Sequence, residues 1–503
     1  MTDHSVVIAG GGPTGLMLAG ELALADVDVA VVERRPSQEL HGARALGISS
    51  RTIEVLDQRG IADRFLSAGQ IAQVTGFATT RLDISDFPTR HNYGLALRQK
   101  HIERILAGWV AELGVAVLYG REVEGFVQDD AQVEIALADG RPLRAEYLIG
   151  CDGGRSVVRK IAGIDFPGWG PTTANILAEV EMTETPPYGV HRSPAGAYAF
   201  GRSEYEIEGG VIRYKDVGPI EVMVTEPNAD AGTEPTLQYL KELLIAACGT
   251  DYGAHDPTWI SRFTDMTRQA ATYRQGRVLL AGDAAHVHSP IGGLGLGTGL
   301  QDAVNLGWKL AQVVRGTSPD VLLDTYHAER HPVGARVLEA TMAQVALHRE
   351  DDRTLAARDI VGGLLRMDEP RKHIAGMMSG LDIRYELGEG HPLLGRRIPD
   401  LDVRTANGAQ RVFSFLHKGR PVLLDLGGPG GIDISPWSDR VQYAEATFDG
   451  RWELPVLGDV TAPAAVLVRP DGHVAWVGDG TAQGLAEALM MWFGAPLYGN
   501  AEP

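Results

Sequence analysis

A short apolar run, Ser5-Val6-Val7-Ile8-Ala9, stops at Gly10-Gly11-Gly12-Pro13-Thr14-Gly15 and resumes as the apolar stretches 16–19 and 22–24. Unbroken apolarity suits a strand buried on both faces of a parallel sheet, and the stretch after the glycines suits a helix packed on that sheet. Val27-Asp28-Val29-Ala30-Val31-Val32 then supplies a second strand and closes a βαβ unit. A pyrophosphate needs uncovered backbone N–H groups at a helix N-terminus. Gly10 permits the tight turn, Gly12 lets the chain approach the phosphates, and Gly15 lets helix and strand pack; Pro13 and Thr14 open the helix. Glu33 ends the second strand, 21 residues after Gly12, where a carboxylate binds ribose hydroxyls. That acid disfavours a 2′-phosphate and so favours FAD over NADP in this pocket, to which Arg34 is also assigned.

Two more glycine-marked segments follow far along the chain. Cys151-Asp152-Gly153-Gly154-Arg155-Ser156 comes after the apolar Tyr147-Leu148-Ile149-Gly150, and Ala281-Gly282-Asp283 after Val278-Leu279-Leu280. Asp283, at a strand's C-terminal end, is expected to hold the ribityl hydroxyls of FAD; the alternative is that it caps the next turn. The run Gly292-Gly293-Leu294-Gly295-Leu296-Gly297 leads into a helix expected over 299–314, whose N–H groups would face the pyrimidine edge of the flavin. For Asp152, ordering of its loop and direct cofactor contact stand as equal readings, with Arg159 pairing with it or with neighbouring backbone.

Around these segments, 51–59 and 101–113 have helical spacing, Asp139-Gly140 marks a hairpin, and 322–378 is expected to be helical. From 163 to 268 the texture changes to short β-like runs, among them 175–180 and 220–224. Further on, 421–426 reads as a strand, 464–477 as a hairpin about Pro470-Asp471-Gly472, and 481–493 as a helix. The length of 503 residues suggests about three domains. The 62 glycines gather in the motif loops rather than in a linker. A net charge of -19 argues against a nucleic-acid partner. The two cysteines, Cys151 and Cys248, exclude a disulfide framework and a CxxC redox centre. No basic apolar leader and no run near ~18 apolar residues is present, so no membrane partner and a cytoplasmic location are expected.

The three glycine segments, in that order, resemble those of the single-component FAD-dependent aromatic hydroxylases, the group that includes para-hydroxybenzoate hydroxylase. Segments 49–60 (SSRTIEVLDQRG), 301–310 (QDAVNLGWKL) and 326–333 (YHAERHPV) are similar to those of aromatic polyketide hydroxylases acting on angucyclines, anthracyclines and tetracyclines, and of rifampicin monooxygenases. The resemblance implies an α/β (α+β) chain in three units. A Rossmann-like FAD/NAD(P)-binding domain (1–165 and 269–394, the latter with a helical segment) carries an inserted mixed β-sheet substrate domain (166–268) and is followed by a thioredoxin-like C-terminal domain (395–503). It further implies flavin contacts from Arg44, Gln99, Val123, Asp152, Pro290, Gly293, Leu294, Gly295, Leu296 and Gly297, and substrate contacts from Leu46, Gly47, Pro290, Ile291 and Gly292. Relatives typically read Gly-Gln-Gly-Leu-Asn where this chain has Gly293-Leu294-Gly295-Leu296-Gly297, so backbone contacts survive and side-chain hydrogen bonds do not. Tyr205, Arg213 and Tyr214 lie in the expected substrate sheet, within reach of a ligand or on the surface.

The reaction so implied is hydroxylation of a polycyclic aromatic polyketide through a flavin C4a-hydroperoxide. It takes O₂ and NADPH or NADH as transient reductant, with no amino-acid nucleophile or general base and with the protein a monomer or homodimer. Baeyer–Villiger oxygenation, antibiotic inactivation and non-catalytic flavin or ligand binding are the alternatives. A metal site at His286-x-His288 near Asp283 would need a closed ligand set, and the FAD reading already accounts for that segment.

Overall fold

The computed structural model describes residues 2–40, 42, 45–194, 196–203, 205–208, 211–215, 218–226, 234–427 and 431–496. The first run of elements is β1 (His4–Ala9), α1 (Pro13–Leu24), β2 (Val29–Glu33), α2 (Ser50–Asp57), α3 (Gln99–Glu112), β3 (Ala116–Tyr119), β4 (Val123–Gln128), β5 (Val133–Leu137), β6 (Leu143–Gly150) and α4 (Val157–Ile161). An inserted run holds β7 (Ala174–Glu181), β8 (Gly189–Ser193), β9 (Gly196–Arg202), β10 (Ile220–Glu226), α5 (Leu237–Cys248) and β11 (His255–Thr264). Then come β12 (Arg274–Gln275), β13 (Val278–Leu280), α6 (Leu294–Val314), α7 (Asp324–Leu347), α8 (Asp352–Leu364) and α9 (Asp368–Ser379). The C-terminal part holds β14 (Val422–Asp425), β15 (Gln442–Glu445), β16 (Ala465–Val468), β17 (Val474–Gly478) and α10 (Leu485–Phe493).

From Val6 to Ala9 β1 is apolar because it lies inside a sheet of order β12-β13-β6-β1-β2-β3, where β13, β6, β1, β2 and β3 run parallel. β5 and β4 extend it as an antiparallel meander from β6. Val6, Val7 and Ile8 are wholly buried within it. β13 reaches this sheet only after the inserted run, which brings the third glycine segment beside the first two.

The inserted sheet, expected to be mixed, is antiparallel at every adjacent pair, in the order β8-β9-β10-β7-β11. A helical crossover, α5, joins β10 to β11, which flank β7 instead of pairing with each other, so no parallel ladder arises. The strict alternation of burial along β7 turns Ile176, Ala178 and Val180 toward Leu240 and Leu244 of α5 and leaves Leu177 on the opposite face. The β-like reading of this region missed α5, whose signals are a Thr236 hydroxyl accepting from the Tyr239 amide at 3.2 Å and a left-handed Gly249 at its end.

α6 begins at Leu294, earlier than the 299 expected from the glycine-rich sequence, because Gly293 stops the preceding loop in a left-handed conformation and tertiary packing overrides low helix propensity. In the C-terminal part, the sheet order is β15-β14-β16-β17. One face buries Trp452 with Phe413 and Val466; the other packs Leu467, Trp476 and Trp492 on Trp308 of α6.

Candidate functional site

The three glycine segments meet along one cavity of about 1150 Å³. Gly10 holds φ at +110°, and a Cβ there would overlap the backbone of Cys151, so only glycine permits β1 and β6 to end side by side. Gly12 differs: nothing lies within 4 Å of where its Cβ would stand, and it lines the cavity with Pro13 and Thr14. No side chain caps α1, which leaves its first N–H groups open beside this space. Gly15 packs on Gly10 inside the fold and supports the turn rather than the cavity wall.

Glu33 lines the cavity and is held from two sides. Its Oε2 accepts from the Gly11 amide at 2.6 Å and its Oε1 from the Arg35 amide at 2.8 Å. Arg35 extends the chain of contacts, donating to Glu103 at 2.8 Å and to the Gly11 carbonyl at 3.0 Å, and Gln99 donates to the other oxygen of Glu103 at 2.8 Å. Burial works against the charge on Arg35, but Glu103 and Glu33 outweigh it and raise its pKa. The sequence reading assigned Arg34 here. Its side chain is 74% exposed at the cavity rim, 3.9 Å from Glu122, while Arg35 does the internal tying.

Asp152 Oδ2 accepts from the amides of Val157 at 2.7 Å and Val158 at 3.1 Å, ordering the loop into α4; its Oδ1 is buried without a partner among the described residues. Of the two possibilities for Arg159, backbone pairing is realised: it donates to the Ala284 carbonyl at 2.8 Å and the Gly154 carbonyl at 2.9 Å, and lies over the Phe166 ring. Asp283 forms no capping bond in its turn and faces the cavity. That turn is anchored from behind by Asp302 of α6, which accepts from the Gly282 amide at 3.1 Å, His286 at 2.7 Å and Arg330 at 2.7 Å. Burial alone would raise the Asp302 carboxyl, yet Arg330 and His286 together hold it below its usual range. His286 and His288 serve different partners: His288 Nδ1 bonds the Ser289 carbonyl at 2.7 Å, and its Nε2 lies unpartnered under Gly295 at the cavity wall. Burial lowers the His288 pKa, so the ring is a neutral acceptor on that side.

Open N–H groups at α1, an Asp152 oxygen and an Asp283 carboxylate without hydrogen-bond partners among the described residues, all on one cavity, suit a dinucleotide with a polyol chain. Residues 3–341 match the FAD binding domain family, and residues 391–496 the aromatic-ring hydroxylase C-terminal family. The chain belongs to the FAD-dependent aromatic-ring hydroxylases. It is a flavoprotein monooxygenase. A rifampicin monooxygenase from Streptomyces venezuelae is 42% identical over 501 residues, covering 98% of this chain and 99% of that protein. A 12-dehydrotetracycline 5-monooxygenase/anhydrotetracycline 6-monooxygenase from Streptomyces rimosus is 41% identical over 512 residues, covering 98% and 99%. Among solved structures, an aromatic hydroxylase from angucycline biosynthesis superposes with a TM-score of 0.87 at 40% identity, covering 99% of this chain and all of that one.

In this hydroxylase the cavity also takes in Leu46, Gly47, Val123, Pro290, Gly292, Gly293, Gly295 and Leu296. Leu294 turns instead into an apolar cluster with Phe77 and Met377, and Gly297 packs against Thr52, whose hydroxyl would stand 2.5 Å from a Cβ. Ile291 is half-buried outside the lining. Arg44 and the side chain of Tyr205 lie outside the described residues. Arg213 and Tyr214 pair with Glu206 and Tyr205 in a separate two-stranded ribbon and do not line the cavity. The wall that the sequence reading missed is the face of the inserted sheet bearing Leu177, Ala199, Glu221, Met223 and Trp259. Strand alternation was the available signal, but which face looks inward depends on α5.

Proposed function

We propose that this hydroxylase uses NADPH or NADH and O₂ to hydroxylate a polycyclic aromatic polyketide in antibiotic or other secondary-metabolite biosynthesis. The observation that carries this reading is the continuity of one cavity from the dinucleotide cradle at Gly10–Glu33 to an apolar slot under the inserted sheet. Such a slot suits a flat, largely apolar ligand. The names of the relatives, which act on anhydrotetracycline or belong to angucycline biosynthesis, point the same way. In this reading Gly12 and the α1 N-terminus bind the pyrophosphate, Glu33 the ribose and Asp283 the ribityl hydroxyls. The backbone of Gly293–Gly297 approaches the ring. FAD, once bound, supplies electron transfer from the nicotinamide and activation of O₂. The side chains do the rest: Leu177, Ala199, Met223 and Ile84 exclude water, and Arg35, Asp302 and Arg330 hold the cradle in shape.

The same reading divides the chain at 165, 268 and 394, and takes the C-terminal unit as thioredoxin-like, supported by its β15-β14-β16-β17 order with α10 following. Without a CxxC that unit packs and carries no thiol redox chemistry. A second reading, inactivation of a polyketide antibiotic, is favoured by the 42% identity to a rifampicin monooxygenase.

The test is anaerobic reduction of the holoenzyme by NADPH, followed by flavin absorbance with and without a panel of angucyclinones, anthracyclinones and rifamycins. Bleaching accelerated by one ligand class identifies the substrate family and separates the two readings. Bound flavin that neither NADPH nor NADH bleaches, whatever the ligand, overturns both.

A further inference from the structure

The inserted sheet presents its register to the cavity as rows. Val190, Ala199, Met223 and Leu177 stand side by side across β8, β9, β10 and β7, and all four line the cavity. In the adjacent row, Gly201 of β9 lies opposite Glu221 of β10. Among the described residues that the sheet contributes to the lining, Glu221 alone is charged. Its Oε1 is bound by Arg98, a buried guanidinium whose other nitrogen donates to the Arg202 carbonyl at 2.7 Å. Its Oε2 accepts no hydrogen bond from the described residues, and the absent side chain of Gly201 keeps the space beside it clear: a Cβ there would stand 3.6 Å away.

A carboxylate oxygen on an apolar wall is tolerable while water bonds it. A flat ligand that fills the slot removes that water, and an unpaired ionised acceptor is costly in an apolar enclosure. The ligand must therefore bring an O–H or N–H to that point, and an ether or carboxylate edge there is rejected. We propose that Glu221, fixed by Arg98 and uncovered by Gly201, is the specificity-determining residue that reads a phenolic hydroxyl on the substrate edge. This rests on the cavity holding a polycyclic arene. A phenol donating to Glu221 also gains electron density in its ring, the direction that attack on an electrophilic oxygen requires.

The experiment measures Kd values of the FAD-loaded protein for 2-hydroxyanthraquinone, 2-methoxyanthraquinone and anthraquinone-2-carboxylate by quenching of flavin fluorescence. The hydroxyl compound is expected to bind about tenfold tighter than the methyl ether, with the carboxylate weakest, as a lost hydrogen bond to a charged group implies. Glu221→Gln keeps an acceptor for Arg98 but turns an amide donor to the cavity, and should bring the first two within about twofold of each other at unchanged flavin content. Gly201→Ala, which the 3.6 Å spacing accommodates, should shield the oxygen and reduce the preference with the Arg98–Glu221 pair intact. A wild-type protein with no preference, or a preference that survives both substitutions, overturns the role of Glu221. A flavin-loaded protein that binds none of the three overturns the polycyclic-substrate reading with it.

Discussion

Arg469 is one of the residues through which the C-terminal part grips the helices behind the cavity, and Arg469→Met tests that grip. The guanidinium is fully buried at the tip of the hairpin between β16 and β17. It donates to Glu329 of α7 at 2.6 and 2.8 Å and to Asp471 at 2.6 and 3.1 Å, and lies 4.4 Å from the centre of the Trp492 ring. Lys309, at 2.8 Å from Glu329, and Asn305 complete the cluster from α6. Within this hydrogen-bonded cluster Arg469 and Lys309 face Glu329 and Asp471; without Arg469, Glu329 loses its two-point partner and Asp471 loses the guanidinium bonded to it. Breaking a buried pair in this way costs about 3–5 kcal/mol, and methionine retains the apolar contact with the tryptophan. Urea unfolding of the FAD-loaded variant should show that loss. The double variant Arg469→Met/Glu329→Gln should lose at least ~1 kcal/mol less than the sum of the two single changes, because it removes the orphaned charge. A loss under ~1 kcal/mol in Arg469→Met, or strict additivity, would refute the idea that this pair joins the two parts.

The same cluster dictates an acid limit. Burial alone would raise the Glu329 carboxyl, but Arg469 and Lys309 hold it down at about 2 in the folded protein. Its stabilising contribution is therefore complete above the unfolded carboxylate value of roughly 4.3 and is lost as pH falls from there toward the folded value. Urea midpoints measured between neutral and acid pH should drop over that interval, and less steeply in Arg469→Met. Gly12→Val should leave the apo protein's melting unchanged but weaken FAD about 100-fold, through loss of phosphate hydrogen bonds worth ~3 kcal/mol together. Titration with FAD checks this, and undiminished affinity would remove Gly12 from the cradle. Gly10→Ala should do the reverse: a positive φ and overlap with Cys151 destabilise the fold itself by ~1–3 kcal/mol, read in the apo melting temperature. Asp283→Ala should lower FAD affinity, and full retention of flavin by that variant counts against placing the ribityl chain there.

Much of the cofactor side is legible in the amino-acid sequence because it is built from local necessities. A strand, a glycine turn and a helix N-terminus must be contiguous to leave N–H groups open, so the region from Ser5 to Glu33 announces its shape and suggests the use proposed for it. Asp152 and Asp283 are readable for the same reason, each following a buried strand. The tertiary structure decided what depends on distant partners. Arg35 rather than Arg34 ties Glu33 because Glu103 stands across from it on α3, 68 residues away. Leu294 leaves the cavity for the cluster around Phe77, and Arg213 and Tyr214 occupy a ribbon apart from it. The wall facing the ligand could not be named from strand alternation alone, since a period of two identifies two faces without saying which one a helix will cover. In this protein α5 takes one face, and the other, with Glu221 among apolar neighbours, is left to the cavity.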